Sequence, residues 1–371
     1  MKSNPFVYPF VPFKDLSDKT IRWKLEEPSK INFRELKKIL KRIKFSSAKI
    51  KGKTIEDKIL SIFLDKNHLF GPSSFITRDK KLWLEKIRYF TSRKKPLLFT
   101  IHGFPFKIPC PIKTDRKVPD LGEILIMLKL NSVWESITKI YKPGAKITLI
   151  TEGGMGKFVG VSEEDWKTYQ IQLRKFVKLL NFSKKMNLVE ISEMEKNNDY
   201  KKIFKKTLNE IKKLYKSKDK LIIDRVGKTF DSTYRIVSTE NYNEETVMDI
   251  YNEGIKAVRI VKLRSALKKK TFESIFNYLA YLKTRDTLNF VEKIAPHSLP
   301  LSVSPKPGRL GIIPISAYCK RLPYHGVPVY HREKNIFTIE YLIDLRRKPG
   351  KYEKVYLKED WENRPFYYIE I

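Results

Sequence analysis

The sequence predicts an α/β protein: a Rossmann-like, largely parallel sheet flanked by helices, with an N-terminal helical extension. Three observations predict it. Short apolar runs at 97–101, 146–150 and 188–191 have the length and composition of buried strands. Longer stretches between them space their apolar residues at helical intervals. Strands and helices alternate from 97 to 191, the pattern that leads to parallel pairing rather than hairpins.

Residues 1 to about 30 read as extended chain punctuated by Pro5, Pro9 and Pro12. Helical patterns follow at Phe33, Leu36, Ile39, Leu40 and Ile43, then at Ile55, Ile59, Ile62 and Phe63. A shorter one carries Leu82, Leu84, Ile87 and Phe90, and Arg93-Lys94-Lys95-Pro96 closes a first region over 1–95. A catalytic core is expected over 96–330. Its first strand ends at His102-Gly103, so residues 104–123 begin at a strand's carboxyl end, where ligands bind in open α/β sheets. Asp120 opens a helix with Leu121, Ile124, Leu125, Leu128, Ile137, Ile140 and Tyr141 in register. The strand at 146–150 ends at Glu152-Gly153-Gly154.

Ser162, with Asp165 three residues on, reads as a helix start. That helix is expected to bury Trp166, Tyr169, Leu173, Phe176, Val177 and Leu180. Residues 196–220 form a lysine-loaded amphipathic stretch with Phe204, Leu208, Ile211 and Tyr215 on one face. A longer helical region spans about 244–290. Two β-like runs, 299–304 and 310–315, are linked by Lys306-Pro307-Gly308-Arg309. A β-rich segment, 331–371, is expected to complete the core.

Lys plus Arg number 76 against 42 Asp plus Glu, a net charge of +34. The positive residues are spread along the chain and read as a solvated surface, although such a field also concentrates anions. No basic tail, zinc knuckle or motif interleaving aromatic with basic residues is present, so no specific nucleic-acid partner is predicted. Cys110 and Cys319 lack partners at ligand or disulfide spacing, so no metal site is expected. Residues 1–14 lack the apolar core of a signal peptide, and no run approaches the roughly 18 apolar residues of a membrane span. The expectation is a soluble protein in a reducing, cytoplasmic setting, with no membrane partner.

The most specific feature is Phe104-Pro105-Phe106-Lys107-Ile108-Pro109, followed eleven residues after Lys107 by Val118-Pro119-Asp120-Leu121-Gly122-Glu123. Downstream stand Tyr141-Lys142-Pro143-Gly144-Ala145-Lys146-Ile147-Thr148 and Pro323-Tyr324-His325. In this order the blocks resemble the signature of the pyoverdine/dityrosine biosynthesis family, the isonitrile (isocyanide) synthases. That family has a Phe-Pro-x-Lys and Pro-Asp-x-x-Glu pair, a Tyr-x-Pro-Gly-Ala segment and a late Pro-Trp-His. The chain departs from it at three places. Glu152-Gly153-Gly154 stands where the family usually carries Asp-Gly, Tyr324 replaces Trp, and Pro300-Leu301-Ser302 lacks the family's Arg.

The resemblance implies a cofactor-free reaction of secondary metabolism. The amine of an amino acid, typically tyrosine or tryptophan, condenses with the ketone of ribulose 5-phosphate. Carbon–carbon cleavage then leaves the amino nitrogen as an isonitrile. A 2-oxoglutarate-dependent oxygenase commonly acts downstream. The departures leave room for a member that has drifted to another amine or sugar phosphate. Charge alone motivates a nucleic-acid-binding protein and strand order alone a methyltransferase, but fold does not fix function.

Such chemistry needs cations for a phosphate and a carboxylate, a base for an ammonium, and acid/base groups for dehydration and retro-aldol steps. The expected catalytic set is Lys107, Asp120, Glu123 and His325. Lys107, stiffened by Pro105 and Pro109, is suited to bind an anion or activate a carbonyl, with a plain surface lysine as the alternative. Asp120 and Glu123 fit a capping box and, facing a cleft, can also grip an ammonium or move protons. His325, in a Pro-x-His-Gly turn, and His102 are placed for proton transfer.

The expected substrate-binding set is Phe104, His102, Lys113, Glu152, Arg309 and Tyr324. Glu152 sits in a turn whose Gly153, Gly154 and Gly156 either admit a ligand or simply make a tight strand–helix connection. Arg309 can hold a phosphate bidentately or belong to a hairpin turn.

Overall fold

A computed structural model describes residues 29–46, 48–109, 113–241, 261–303, 307–316, 319, 321–360 and 362–371. The expectations for residues 1–28, for Cys110, for 242–260 and for Lys306 lie outside the described residues. The chain enters through strand β1 (Ser29–Ile31) and helices α1 (Phe33–Arg42), α2 (Ile55–Leu64), α3 (Ser74–Thr77) and α4 (Lys80–Thr91). Asn32 and Glu35 close a capping box on α1, and Thr54 caps α2. The apolar faces of these helices (Leu36, Ile59, Phe63, Trp83 and Ile87 among them) join the same core cluster as Phe99 and Leu299 of the sheet. These helices therefore share one core with the sheet.

The core alternates as the sequence predicts: β2 (Leu97–His102), α5 (Leu121–Ile140), β3 (Ala145–Thr151), α6 (Glu163–Leu179) and β4 (Met186–Glu190). Then come α7 (Tyr200–Lys216), α8 (Lys220–Asn241), α9 (Val261–Thr287), α10 (Phe290–Ile294), β5 (Leu299–Ser302) and β6 (Leu310–Gly311). These five strands are all parallel, in the order β4-β3-β2-β5-β6. Chain order reverses between β2 and β5, so the crevice outside their carboxyl ends is the topological switch point at which such sheets bind ligands.

The structure departs from the sequence expectations at four points. Arg309 is not in a hairpin turn, because β6 runs parallel to β5. The last strand is two residues long rather than the expected 310–315. A Cβ on Gly311 would lie 2.1 Å from the Phe70 carbonyl, and His68 accepts from the Ile313 amide, so the loop before α3 covers this edge. The 22-residue α8 was not foreseen; it packs with α7 and α9 through Ile211, Val226, Ile275 and Leu279. On α6, Trp166 and Leu180 are only half-buried, whereas Tyr169, Leu173, Phe176 and Val177 are fully inside.

The remaining strands, β7 (Val327–His331), β8 (Ile336–Glu340), β9 (Tyr352–Leu357) and β10 (Tyr367–Glu370), form a second, mixed sheet with β1. Its order is β1-β9-β10-β7-β8, and α11 (Leu342–Arg346) lies between β8 and β9 in sequence. Ile339, Val355, Leu357 and Phe366 belong to the main core cluster, so this sheet backs onto the parallel one. Among the described residues, no helix is long and apolar enough to cross a membrane.

Candidate active site

The segment after β2 is bent at Phe104, whose φ of 55° is left-handed, a conformation that costs a non-glycine residue about 1–2 kcal/mol. Its ring is buried in the core, and its carbonyl accepts a 2.9 Å hydrogen bond from Gln170 Nε2. Phe104 thus anchors and redirects the chain; Pro105, Phe106 and Ile108 face the cavity described below. Such strain concentrates at functional sites.

Lys107 is 2% exposed. Its ammonium bonds the Asp120 carboxylate and lies 3.2 Å from Glu123 Oε2. The two carboxylates also form the capping box of α5. Asp120 Oδ1 accepts from the Gly122 amide and Glu123 Oε2 from the Asp120 amide, each at 2.8 Å. The Tyr169 hydroxyl donates to Glu123 Oε1 at 3.1 Å. Burial raises Glu123 to about 7, with Lys107 opposing and Asp120 adding to the shift. Burial and then the Glu123 charge push the Tyr169 phenol well above its ordinary value. Lys107 is therefore no surface lysine, and its head is enclosed by two acids rather than open to an anion.

Beside this network lies a cavity of about 270 Å³. Phe106, Ile108, Met155, Phe158 and Val159 make it apolar and partly aromatic. Lys113, Tyr324 and His325 also line it, with Lys228, Thr229 and Thr233 from α8 and Ser274 and Tyr278 from α9. The short helical turn Pro323–His325 packs on the start of α5, where a Cβ on Gly122 would lie 2.9 Å from Pro323 Cβ. This contact brings Tyr324 and His325 next to the Asp120 cap. Burial, with the Lys113 charge adding, pushes His325 down to about 3. It is neutral at physiological pH, so the expected near-neutral proton acceptor becomes a neutral hydrogen-bonding ring. Tyr324 is pushed up by burial and by its neighbours Glu152, Tyr278 and Glu123.

At the switch point, His102 from the end of β2 and Glu152 from the turn after β3 meet Arg285 of α9. His102 Nδ1 and Arg285 Nη1 each lie 3.4 Å from Glu152 Oε1. Arg285 also pairs with Asp286, whose side chain is 66% exposed. Burial lowers His102, with the Arg285 and Arg309 charges adding to the effect and Glu152 opposing it. Burial first, then Arg285, lowers Arg309. The cluster thus holds two guanidiniums, with Glu152 on its enclosed side and Asp286 toward solvent. Tyr278 joins it to the cavity: it lines the cavity wall, and its phenol, pushed up to about 12 chiefly by burial, lies in the field of Glu152, Arg285 and Arg309.

The glycine-rich turn does not present its amides to a ligand. Gly153 and Gly154 donate to the Glu190 carboxylate at 3.1 and 3.2 Å, and Thr151 and Ser192 complete its hydrogen bonds. A Cβ on Gly153 would lie 2.6 Å from the Trp166 ring, and one on Gly154 2.5 Å from Ser192 Cβ. These glycines serve packing, and Glu190 fixes the turn that aims Glu152 at Arg285. The expectation that they admit a ligand is replaced by the tight-turn alternative.

A family model described as pyoverdine/dityrosine biosynthesis protein matches residues 87–344. The chain belongs to the pyoverdine/dityrosine biosynthesis family. The family's span runs from α4 to α11 and takes in every residue of the cavity and of the arginine cluster. An L-tryptophan isonitrile synthase of Fischerella ambigua is 26% identical over 230 residues, covering 60% of this chain and 63% of the relative. An L-tyrosine isonitrile synthase of Xenorhabdus nematophila is 34% identical over 95 residues, covering 25% of this chain and 28% of the relative. The crystal structure of the PvcA protein from Pseudomonas aeruginosa shares the fold. Its TM-score is 0.67 at 20% identity, over 86% of this chain and 100% of that one.

Sequence reading did not find Arg285, Tyr278, Tyr169 or Glu190. Ser274, Tyr278, Tyr281 and Arg285 recur at spacings of four, three and four on α9, a helical face that could have been marked as inward.

Proposed function

We propose that this member of the pyoverdine/dityrosine family is an isonitrile synthase. It converts the amino group of an aromatic amino acid, tyrosine or tryptophan, to an isonitrile, with ribulose 5-phosphate as carbon donor. One observation carries the reading: Tyr278 is a wall shared by an apolar cavity of side-chain size and a cluster of two guanidiniums. Two substrates, one aromatic and one anionic, would lie side by side across it.

In this reading the aromatic side chain packs against Phe106, Ile108, Met155 and Phe158, and Lys113 faces the amino acid carboxylate. Arg285 and Arg309 take the phosphate, the geometry at which guanidinium is suited to oxyanions. Asp120 and Glu123 stand one layer behind the cavity and hold the proton removed from the substrate ammonium, with Tyr324 as the group between. A carboxyl near 7 can take and return a proton at neutral pH. Neutral His325 supplies a hydrogen bond to the condensing amine. Acid/base groups alone serve the condensation, which expels water, and the carbon–carbon cleavage. The setting proposed is the cytoplasm, and a 2-oxoglutarate-dependent oxygenase is the class of enzyme that would take the product.

Purified protein given ribulose 5-phosphate and each proteinogenic amino acid in turn, with no added metal, nucleotide or redox cofactor, tests this. The expected result is an isonitrile from tyrosine or tryptophan, detected by mass and by a selective trapping reaction. Product only from another amine or sugar phosphate would favour a second reading, a drifted family member, which the Glu152 and Tyr324 departures at the site support. No product from any combination by folded protein rejects both.

A further inference from the structure

The lining of the cavity is not uniform. Lys113, Tyr324 and His325 are polar, the last two next to the cap of α5; Phe158 and Val159 are apolar; α8 contributes Lys228, whose ammonium pairs with Asp224, together with Thr229 and Thr233. α8 is one of the walls that an amino acid side chain in this cavity can meet. What Thr229 offers there is set by its own helix. Its hydroxyl oxygen lies 2.9 Å from the Arg225 carbonyl and 3.1 Å from the Val226 carbonyl. A threonine hydroxyl has one proton and two lone pairs, and the proton is engaged by the preceding turn. Toward the cavity Thr229 is therefore an acceptor.

We propose that Thr229 is a specificity-determining residue: it selects aromatic side chains that carry a hydrogen-bond donor at their far edge, a phenol O–H or an indole N–H, over hydrocarbon rings of the same shape. This rests on the reading of the cavity as the amino acid site. A hydrocarbon ring in the same place strips water from Thr229 and returns nothing. A site built to pair a substrate donor rejects the analogue lacking it. Thr229 is half-buried, so the discrimination expected is on the order of 10–100-fold rather than the larger ratios of a fully enclosed site.

The experiment measures binding by calorimetry and product formation for tyrosine, phenylalanine, tryptophan and β-(3-benzothienyl)alanine, the last replacing the indole N–H by sulfur. Wild type, Thr229→Val and Thr229→Ser are compared. Wild type should favour the donor-bearing member of at least one pair, and which pair shows it distinguishes phenol from indole. Thr229→Val should bring that ratio close to one, and Thr229→Ser should restore it. Each ratio is internal to one protein, so partial unfolding of a variant does not alter it. Equal binding of both members of both pairs by wild type, or a ratio that survives in Thr229→Val, overturns the proposal. Selective binding without isonitrile from any amino acid removes the reaction assigned above and leaves the selectivity of Thr229 standing.

Discussion

The Lys107 ammonium lies 3.2 Å from Glu123 Oε2, and neither side chain reaches solvent. With Asp120 bonded to the same ammonium, this pair ties the Phe104–Pro109 segment to the first turn of α5. The cap of a helix and the wall of a cavity thus depend on one buried cation.

Lys107→Met is therefore expected to lower stability by about 3–5 kcal/mol at pH 7, because it strands two buried carboxylates. Denaturant titration measures it. The loss should shrink at pH 5, where the raised Glu123 carboxyl can protonate. A change below ~1 kcal/mol at pH 7 would mean that the ammonium is solvated and free.

The raised Glu123 carboxyl fixes the sign of a pH effect. Its folded value, about 7, exceeds the ordinary 4.5, so the folded state holds the proton more tightly than the unfolded chain. Its contribution is complete below about 4.5 and is lost as pH rises through 7. Glu123→Gln keeps the capping geometry but does not titrate. The difference in stability between wild type and Glu123→Gln should move in favour of the variant from pH 4.5 to 7.5. A flat difference curve would show that Glu123 titrates in the folded protein as it does in the unfolded chain.

Gly153→Ala tests whether the glycine turn is packing or a ligand cradle. Its Cβ would meet the Trp166 ring at 2.6 Å, so overpacking of about 1–3 kcal/mol is expected. A variant with wild-type melting temperature and weakened ribulose 5-phosphate binding would restore the cradle.

Much of this was legible beforehand because its causes are local. The alternation from β2 to β4 follows from apolar spacing, and the starts of α5 and α6 from the caps at Asp120 and Ser162. What was hidden depends on distant partners. The orientation of Lys107 is set by acids 13 and 16 residues away, across a loop of unusual backbone. The register Ser29↔Val355 joins segments far apart in the sequence, and nothing in either segment names the other. Arg285 belongs to a helix rich in lysine and arginine, where one inward guanidinium looks like its solvated neighbours until the helix is packed. Two short apolar runs joined by a Pro-Gly link read as a hairpin, and only the sheet shows β5 and β6 to be parallel.

Arg309→Met probes the anionic half of the site. The KM for ribulose 5-phosphate should rise on the order of 10–100-fold, the worth of a charged hydrogen bond, while the KM for the amino acid changes little. Equal rises in both would place Arg309 in the general architecture rather than at the phosphate.

The most direct measurement of the central claim follows the atoms. Protein supplied with ¹⁵N-labelled tyrosine or tryptophan and ribulose 5-phosphate labelled with ¹³C at its ketone carbon should yield an isonitrile in which the two labels are bonded, read as a ¹³C–¹⁵N coupling. An isonitrile carrying ¹⁵N but no ¹³C would contradict the sugar phosphate as carbon donor. Complete retention of the unreacted amine, by folded protein with both substrates present, would contradict the reaction itself.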